Sequence, residues 1–434
     1  MTDTPTTKGA PRGAGSFCIP QAALNALLDN NATAYEICTY LVLARFTDHS
    51  GRFSTANISA VNRYTGANKT KGGPVDKAIE RLKTIRAKGK QVVSNGRSGK
   101  SHAMVDQVTD RGPILYGREA WLKETGEIPP DGPVERSKVL NVLPEFDGQD
   151  EGVWFGNALV DGYGKFERPL KALKNAGDVA AKLLLSMYAA NDMETWGGVR
   201  PIGSNSGPWK HYEPVANDVN IHGGARLIRA KDGGEVGSID KRIIGAGDQQ
   251  AYWDALAALE SAGLVYEVVL VLNRNAIQAK FRGGGEANQY SNIPEDAEPL
   301  YELDCRSHHG YKPKGEEGIG GVTANTAGAL NYPVTEEGGY FYGAYAAFVP
   351  KGFPAMIAGI YRLRFRVSNP KNAGVKGAWA GIQQRNKDAL EFVNSIRVAH
   401  KIPPAEPPNS NHDNERKKNQ TRRDEDPFGF QNLH

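Results

Sequence analysis

The chain has 434 residues, of which 39% are hydrophobic and 24% charged, and a formal net charge of +4. That balance excludes a disordered polyelectrolyte and fits about two or three folded domains. A charge of +4 is too small to argue for a nucleic-acid partner, so any such argument must come from local clustering. Cys18, Cys38 and Cys305 are scattered without CxxC spacing, which argues against a zinc pattern and a disulfide framework and for a reducing cytoplasm. The opening MTDTPTTKGAPRGAG lacks the apolar core of a signal peptide, and no apolar run approaches the ~20 residues that span a bilayer.

Residues 1–15 are small, polar and rich in Pro and Gly, and read as a disordered N-terminus. A first folded domain is expected over 16–110. Thr33 stands three residues before Glu36, the spacing of a capping box, and opens a helix with Ile37, Leu41, Ala44 and Phe46 on its apolar face. A second helix is expected from Ser54 or Thr55, carrying Ile58 and Val61 and stopping at Gly66. Pro74 opens a third helix, whose stripe is Val75, Ala78, Ile79, Leu82 and Ile85, with Lys77, Arg81 and Lys88 on another face and a stop at Gly89. KQVVS and HAMVDQV then read as two strands joined by a basic tip, NGRSGK, where Asn95-Gly96 favours a tight hairpin turn.

Residues 111–150, with GEIPPDGP near Asp131, read as a linker. A second domain over 151–306 repeats the order of the first. VWFGNALV stands where FCIPQAAL stands, Asp178 caps DVAAKLLLSMYAAND, and Asp248 caps a helix that runs directly into LVYEVVLVLN, with PLYELDC as its partner strand. Between residues 201 and 247 lies an insertion with no recognisable second helix. A loop, strands over Tyr340–Val367 and a helix over Trp379–Ala399 make a strand-rich extension from 307 to 400, followed by a polar tail over 401–434. The expected fold class is therefore α+β, mostly helical, with two helix-turn-helix-plus-wing units in one chain.

TGANKTKGGPVDKAIERLKTIR resembles the turn and recognition helix of winged-helix DNA-binding domains, with about three extra residues around Lys71, Gly72 and Gly73. Two such units on one chain resemble the tandem winged-helix replication initiators of plasmids. The resemblance implies a duplex DNA partner, no catalysis and no cofactor. A helix fits the major groove and meets base edges near its N-terminus, which also carries free N–H groups suited to phosphate. Asn68, Lys69, Thr70 and Lys71 stand just before that end. Lys77 and Arg81 are one turn apart and point outward together, and Arg97 and Lys100 sit on the wing tip. In the second unit Arg226, Arg229 and Arg242, with Lys231 and Lys241, offer a further contact surface. Arg362, Arg364 and Arg366 alternate with apolar residues in YRLRFRV, as in a strand that buries one face and shows an arginine row on the other. The same row on a structural strand would pair with carboxylates instead.

Other patterns fall short of chemistry. SNGRSGKS, from Ser94 to Ser101, has Ser94 in place of the first glycine of a phosphate loop, and no helix follows it. His308 and His309 are adjacent, and on a strand would face opposite ways, so no metal site is expected. GIGGVTANTAG is a lone glycine-rich loop without a preceding strand. The tail ends DEDPFGFQNLH, an acidic and aromatic run suited to docking replication or assembly proteins, or simply a solvated tail. The sequence reading is thus a non-catalytic, sequence-specific duplex DNA-binding protein, a plasmid or mobile-element replication initiator. Its alternatives are a transcriptional repressor and an interaction subunit of a nucleoprotein assembly.

Overall fold

The computed structural model describes residues 15–48, 50–68, 70, 72–94, 104–127, 139–145, 152–162, 168–201, 207–214, 219–221, 225–236, 240–244, 248–273, 297–303, 344–351, 355–367, 373–399 and 401. The protein is mixed α/β. In chain order the elements begin β1 (Ser16–Pro20), α1 (Gln21–Asp29), α2 (Ala34–Arg45), β2 (Phe53–Ser54), α3 (Ile58–Thr65), α4 (Pro74–Leu82), β3 (Arg86–Ser94) and β4 (Met104–Pro113). They continue with β5 (Tyr116–Gly117), α5 (Arg118–Thr125), β6 (Asn141–Val142), β7 (Gly152–Gly156), α6 (Ala158–Asp161), α7 (Pro169–Ala176), α8 (Asp178–Ala189), β8 (Asn191–Asp192) and β9 (Gly198–Val199). Then come β10 (Trp209–Pro214), β11 (Val219–Ile221), β12 (Ala225–Val236), α9 (Lys241–Ile244), α10 (Gln249–Ser261), β13 (Val265–Asn273), β14 (Glu298–Leu303), β15 (Ala344–Pro350), β16 (Ala355–Leu363) and α11 (Ala373–Ala399).

The chain forms two compact units, and their boundary does not follow the expected division at 110 and 150. The first takes Met1–Pro208, Gly237–Tyr266 and Tyr361–Trp379; the second takes Trp209–Val236, Glu267–Ile360 and Ala380–His434.

In the first unit both expected helical segments share one core, in which Val75, Ile79 and Leu82 belong to the same cluster as Tyr252, Leu256 and Leu259. At its centre lie α2 and α8, each 12 residues long and buried around most of its circumference. The capping box forms as expected: Thr33 Oγ1 accepts the Glu36 N–H at 3.3 Å, and the Glu36 carboxylate accepts the Thr33 N–H at 2.8 Å. Asp178 is not the N-cap of α8, a place held by Gly177. Its carboxylate accepts the Ala34 N–H at 2.7 Å, so the first residue of α8 satisfies the start of α2. β1 and β7 pair antiparallel with Cys18 opposite Trp154, which places the two lead-in segments side by side. Gly156 is required there, since a Cβ would stand 2.6 Å from the Phe365 carbonyl oxygen.

The first segment runs α2–β2–α3–α4–β3–β4, and the second runs α8–β9–α9–α10–β13–β14 with β10 to β12 inserted before α9. The insertion thus does contain a helix at the second-helix position, α9, four residues long and too short for any periodicity to reveal. The supposed linker also carries structure. β5, β6 and β2 form a three-stranded sheet, and Phe53, Tyr116, Trp121, Val139 and Val142 make a small separate core.

The second unit holds the sheet β11-β12-β10-β16-β13-β14, with β15 also paired to β12. β14 pairs with β13 as expected, from Val269 opposite Leu303 to Asn273 opposite Glu298. In α11, Ile382, Ala389, Val393 and Ile396 form one buried stripe.

Candidate nucleic-acid interface

α3 begins where Asn57 Oδ1 accepts the Ala60 N–H at 2.9 Å, later than Ser54, which lies in β2. Val61 is buried, but Ile58 is 44% exposed, because it occupies the first turn on the outward side. The helix stops at Gly66 with φ +63, as expected of a left-handed cap.

The turn that follows is built by its two glycines. Gly72 has φ +69. A Cβ on Gly73 would stand 2.6 Å from Thr70 Oγ1 and 2.7 Å from the Thr70 carbonyl oxygen. The Gly73 N–H donates to that carbonyl at 2.9 Å, and the Thr70 N–H donates to the Asn68 carbonyl at 3.0 Å. Asp76, in the first turn of α4, accepts the Gly72 N–H at 2.7 Å. The extra residues are therefore a compact feature tied to the helix start.

α4 buries Val75, Ala78, Ile79 and Leu82, and packs on α2 and α3. It ends at Leu82 and not at Gly89, because the chain enters β3 at Arg86; Ile85 is buried all the same, and Lys88 sits on the strand. Lys77 and Arg81 are both exposed on one outward face. The acids that might neutralise them are engaged elsewhere: Asp76 with the turn, and Glu80 with Lys83 at 2.7 Å. Arg81 Nη1 donates to Thr84 Oγ1 at 3.0 Å, which steadies its stem. The Lys77 side chain has no hydrogen bond or ion pair among the described residues.

β3 and β4 form a two-stranded ribbon of their own, with a register shift between Ala87 and Lys88. At its base Arg86 Nε meets Asp110 Oδ2 at 2.6 Å, both side chains about half exposed. The Gly112 N–H, and after it Arg86, hold the Asp110 carboxyl below its ordinary value. Lys69, Lys71, Arg97 and Lys100 lie outside the described residues, as do the phosphate-loop-like tip, His308, His309, the glycine-rich loop near Gly320 and the tail. Of the contact residues singled out between 68 and 100, Asn68, Thr70, Lys77 and Arg81 are described, and all four are exposed around the turn and α4. Arg63, exposed on α3 with its guanidinium 5.8 Å from the Tyr64 ring centre, is a further cation before the turn. A lone arginine on an eight-residue helix gave no spacing signal to single it out.

The other expected contact residues are placed differently. Arg242 donates to Asp240 at 2.6 Å and to Asn25 at 3.1 Å, and lies 3.4 Å from Asp29, so it ties α9 to α1. Arg226 and Arg229 lie in β12, opposite Val349 and Ala346 of β15, and Arg226 is half-buried. The alternating arginine row is not an exposed face. Arg362 is only 4% exposed, and its Nε–H donates to the Gly197 carbonyl. Arg364 Nε donates to the Gly263 carbonyl with its guanidinium 5.2 Å from the Tyr266 ring centre, and Arg366 donates to the Tyr266 hydroxyl at 2.9 Å. Burial lowers the Arg364 pKa from its usual value. The strand ends at Leu363, and beyond it Phe365 and Val367 are buried while Arg364 and Arg366 are half-buried, so the alternation of burial holds but its arginine side is taken up by Gly263 and Tyr266.

Among the described residues no group of three His, Cys, Asp or Glu could hold a metal ion, and no helix is long and apolar enough to cross a membrane. Comparison with protein-family models, with curated proteins and with solved structures finds no match for this chain.

Proposed function

We propose that the chain is a non-catalytic, sequence-specific duplex DNA-binding protein whose first segment works as a winged helix. In this reading α4 enters the major groove and the ribbon β3–β4 grips flanking backbone. The single observation that carries it is the outward face of α4. Lys77 and Arg81 are exposed one turn apart, while Asp76 and Glu80, the acids beside them, are bound to Gly72 and Lys83. Lys77 supplies a point charge, and Arg81 can take a guanine bidentately. The recurring order of elements in the two segments, a likeness of architecture and not a count of DNA contacts, supports the finer role, a replication initiator of a plasmid or mobile element.

Selection of bound sequences from a random duplex library tests this reading. A defined motif is expected, with K77A/R81A losing discrimination between sites and R97A/K100A weakening all sites alike. Enrichment of no motif, or two double variants that bind as the parent does, refutes it. Recovered motifs repeated at an origin fit the initiator role; a lone motif upstream of a gene fits a repressor.

A further inference from the structure

The two segments match in fold but not in charge. The buried positions of α4, Val75, Ala78, Ile79 and Leu82, recur at the same intervals in α10 as Tyr252, Ala255, Leu256 and Leu259. In that register Lys77 corresponds to Asp254 and Arg81 to Ala258. Asp254 is exposed and accepts a hydrogen bond from Gln250 at 2.8 Å, so the outward face of α10 presents a carboxylate. From Gln249 to Ser261 there is no lysine or arginine. The strands that follow differ in the same sense. β3 (RAKGKQVVS) carries three cations, whereas β13 (VYEVVLVLN) carries none and one glutamate. Nor is β13–β14 free as a ribbon. Among the described residues β3 and β4 pair only with each other, but β13 is flanked on its other edge by β16 within the large sheet.

We propose that contact with the duplex is made by the α4 half alone, and that the α10 half is a non-contacting scaffold, so that one copy of the chain occupies a single site. The proposal rests on the duplex-binding reading of α4 and extends it. A phosphate backbone carries one charge per ~1.7 Å of axis, so a helix face whose charge is a carboxylate gains nothing by contact with it. The repeated fold is then a structural repeat, which completes one core and fixes α4, and not a second reading head.

The test is hydroxyl-radical footprinting of the full chain on a duplex bearing its selected motif. Protection of about one helical turn (~10 bp) is expected. Replacing Gln249, Gln250 and Asp254 together by alanine should leave the footprint unchanged, and Asp254→Lys should change affinity by less than about twofold, since the added charge stays beyond a Debye length from phosphate. K77A/R81A should erase the protection. Protection of two turns, one of them lost in the α10 triple variant, overturns this inference and leaves the α4 reading intact. No protection at all, or protection indifferent to K77A/R81A, overturns both.

Discussion

Arg362→Ala separates a structural arginine from a DNA-contacting one. The residue is 4% exposed and gives its Nε–H to the Gly197 carbonyl. A hydrogen bond from a charged group contributes about 1.5–3 kcal/mol, and each methylene of the buried stem about 0.8 kcal/mol. Relief of the guanidinium's desolvation offsets part of that sum. The expected net loss is about 2–4 kcal/mol, which at roughly 2–4 °C per kcal/mol lowers Tm by about 4–16 °C. Arg362→Met keeps most of the stem and should lose less. The assay is calorimetry of both variants beside a salt titration of duplex binding at a temperature where all remain folded. Unchanged Tm with weakened, less salt-dependent binding would refute the reasoning, because it would place the guanidinium on nucleic acid.

Gly156→Ala drives a methyl into the Phe365 carbonyl, and should cost about 1–3 kcal/mol in denaturant unfolding; equal midpoints would contradict the close approach. Tyr40 is fully buried, and among the described residues its hydroxyl has no hydrogen-bond partner, so Tyr40→Phe should be neutral or stabilising, and a loss above about 1 kcal/mol would reveal a partner. Burial pushes the Cys38 thiol up to about 12 and Cys18 to about 11. At pH 8 Cys38 should resist alkylation until the chain unfolds, as read by mass spectrometry of labelled peptides; rapid labelling of native protein would contradict its burial.

The features legible in the sequence were local ones. The Thr33–Glu36 capping box, the Gly66 stop, the Pro74 start and the stripe from Val75 to Ile85 each follow from neighbours in the chain, and each stands as expected. The outward pair Lys77 and Arg81 was legible for the same reason, helical spacing. The ion pairs that neutralise or withdraw charge were not. Beyond its neighbour Asp240, Arg242 finds Asp29 and Asn25 more than two hundred residues away, and Arg362 finds a carbonyl far along the chain. Periodicity reports which side of an element differs from the other, but not what covers it. α9 escaped notice because one turn of helix has no period, and the domain boundary because the chain re-enters the first unit twice.

The central claim is that the cations around the turn, α4 and the wing face a polyanion. Its most direct test is the equilibrium affinity for labelled random duplex, measured from about 50 to 200 mM salt, within the range where counterion release dominates. If about six of these groups meet phosphates, log affinity should fall against log salt with a slope near −5, and R97A/K100A, at the wing tip that grips backbone, should flatten it by about 2. An affinity indifferent to salt, or a slope the double variant leaves unchanged, would contradict the claim.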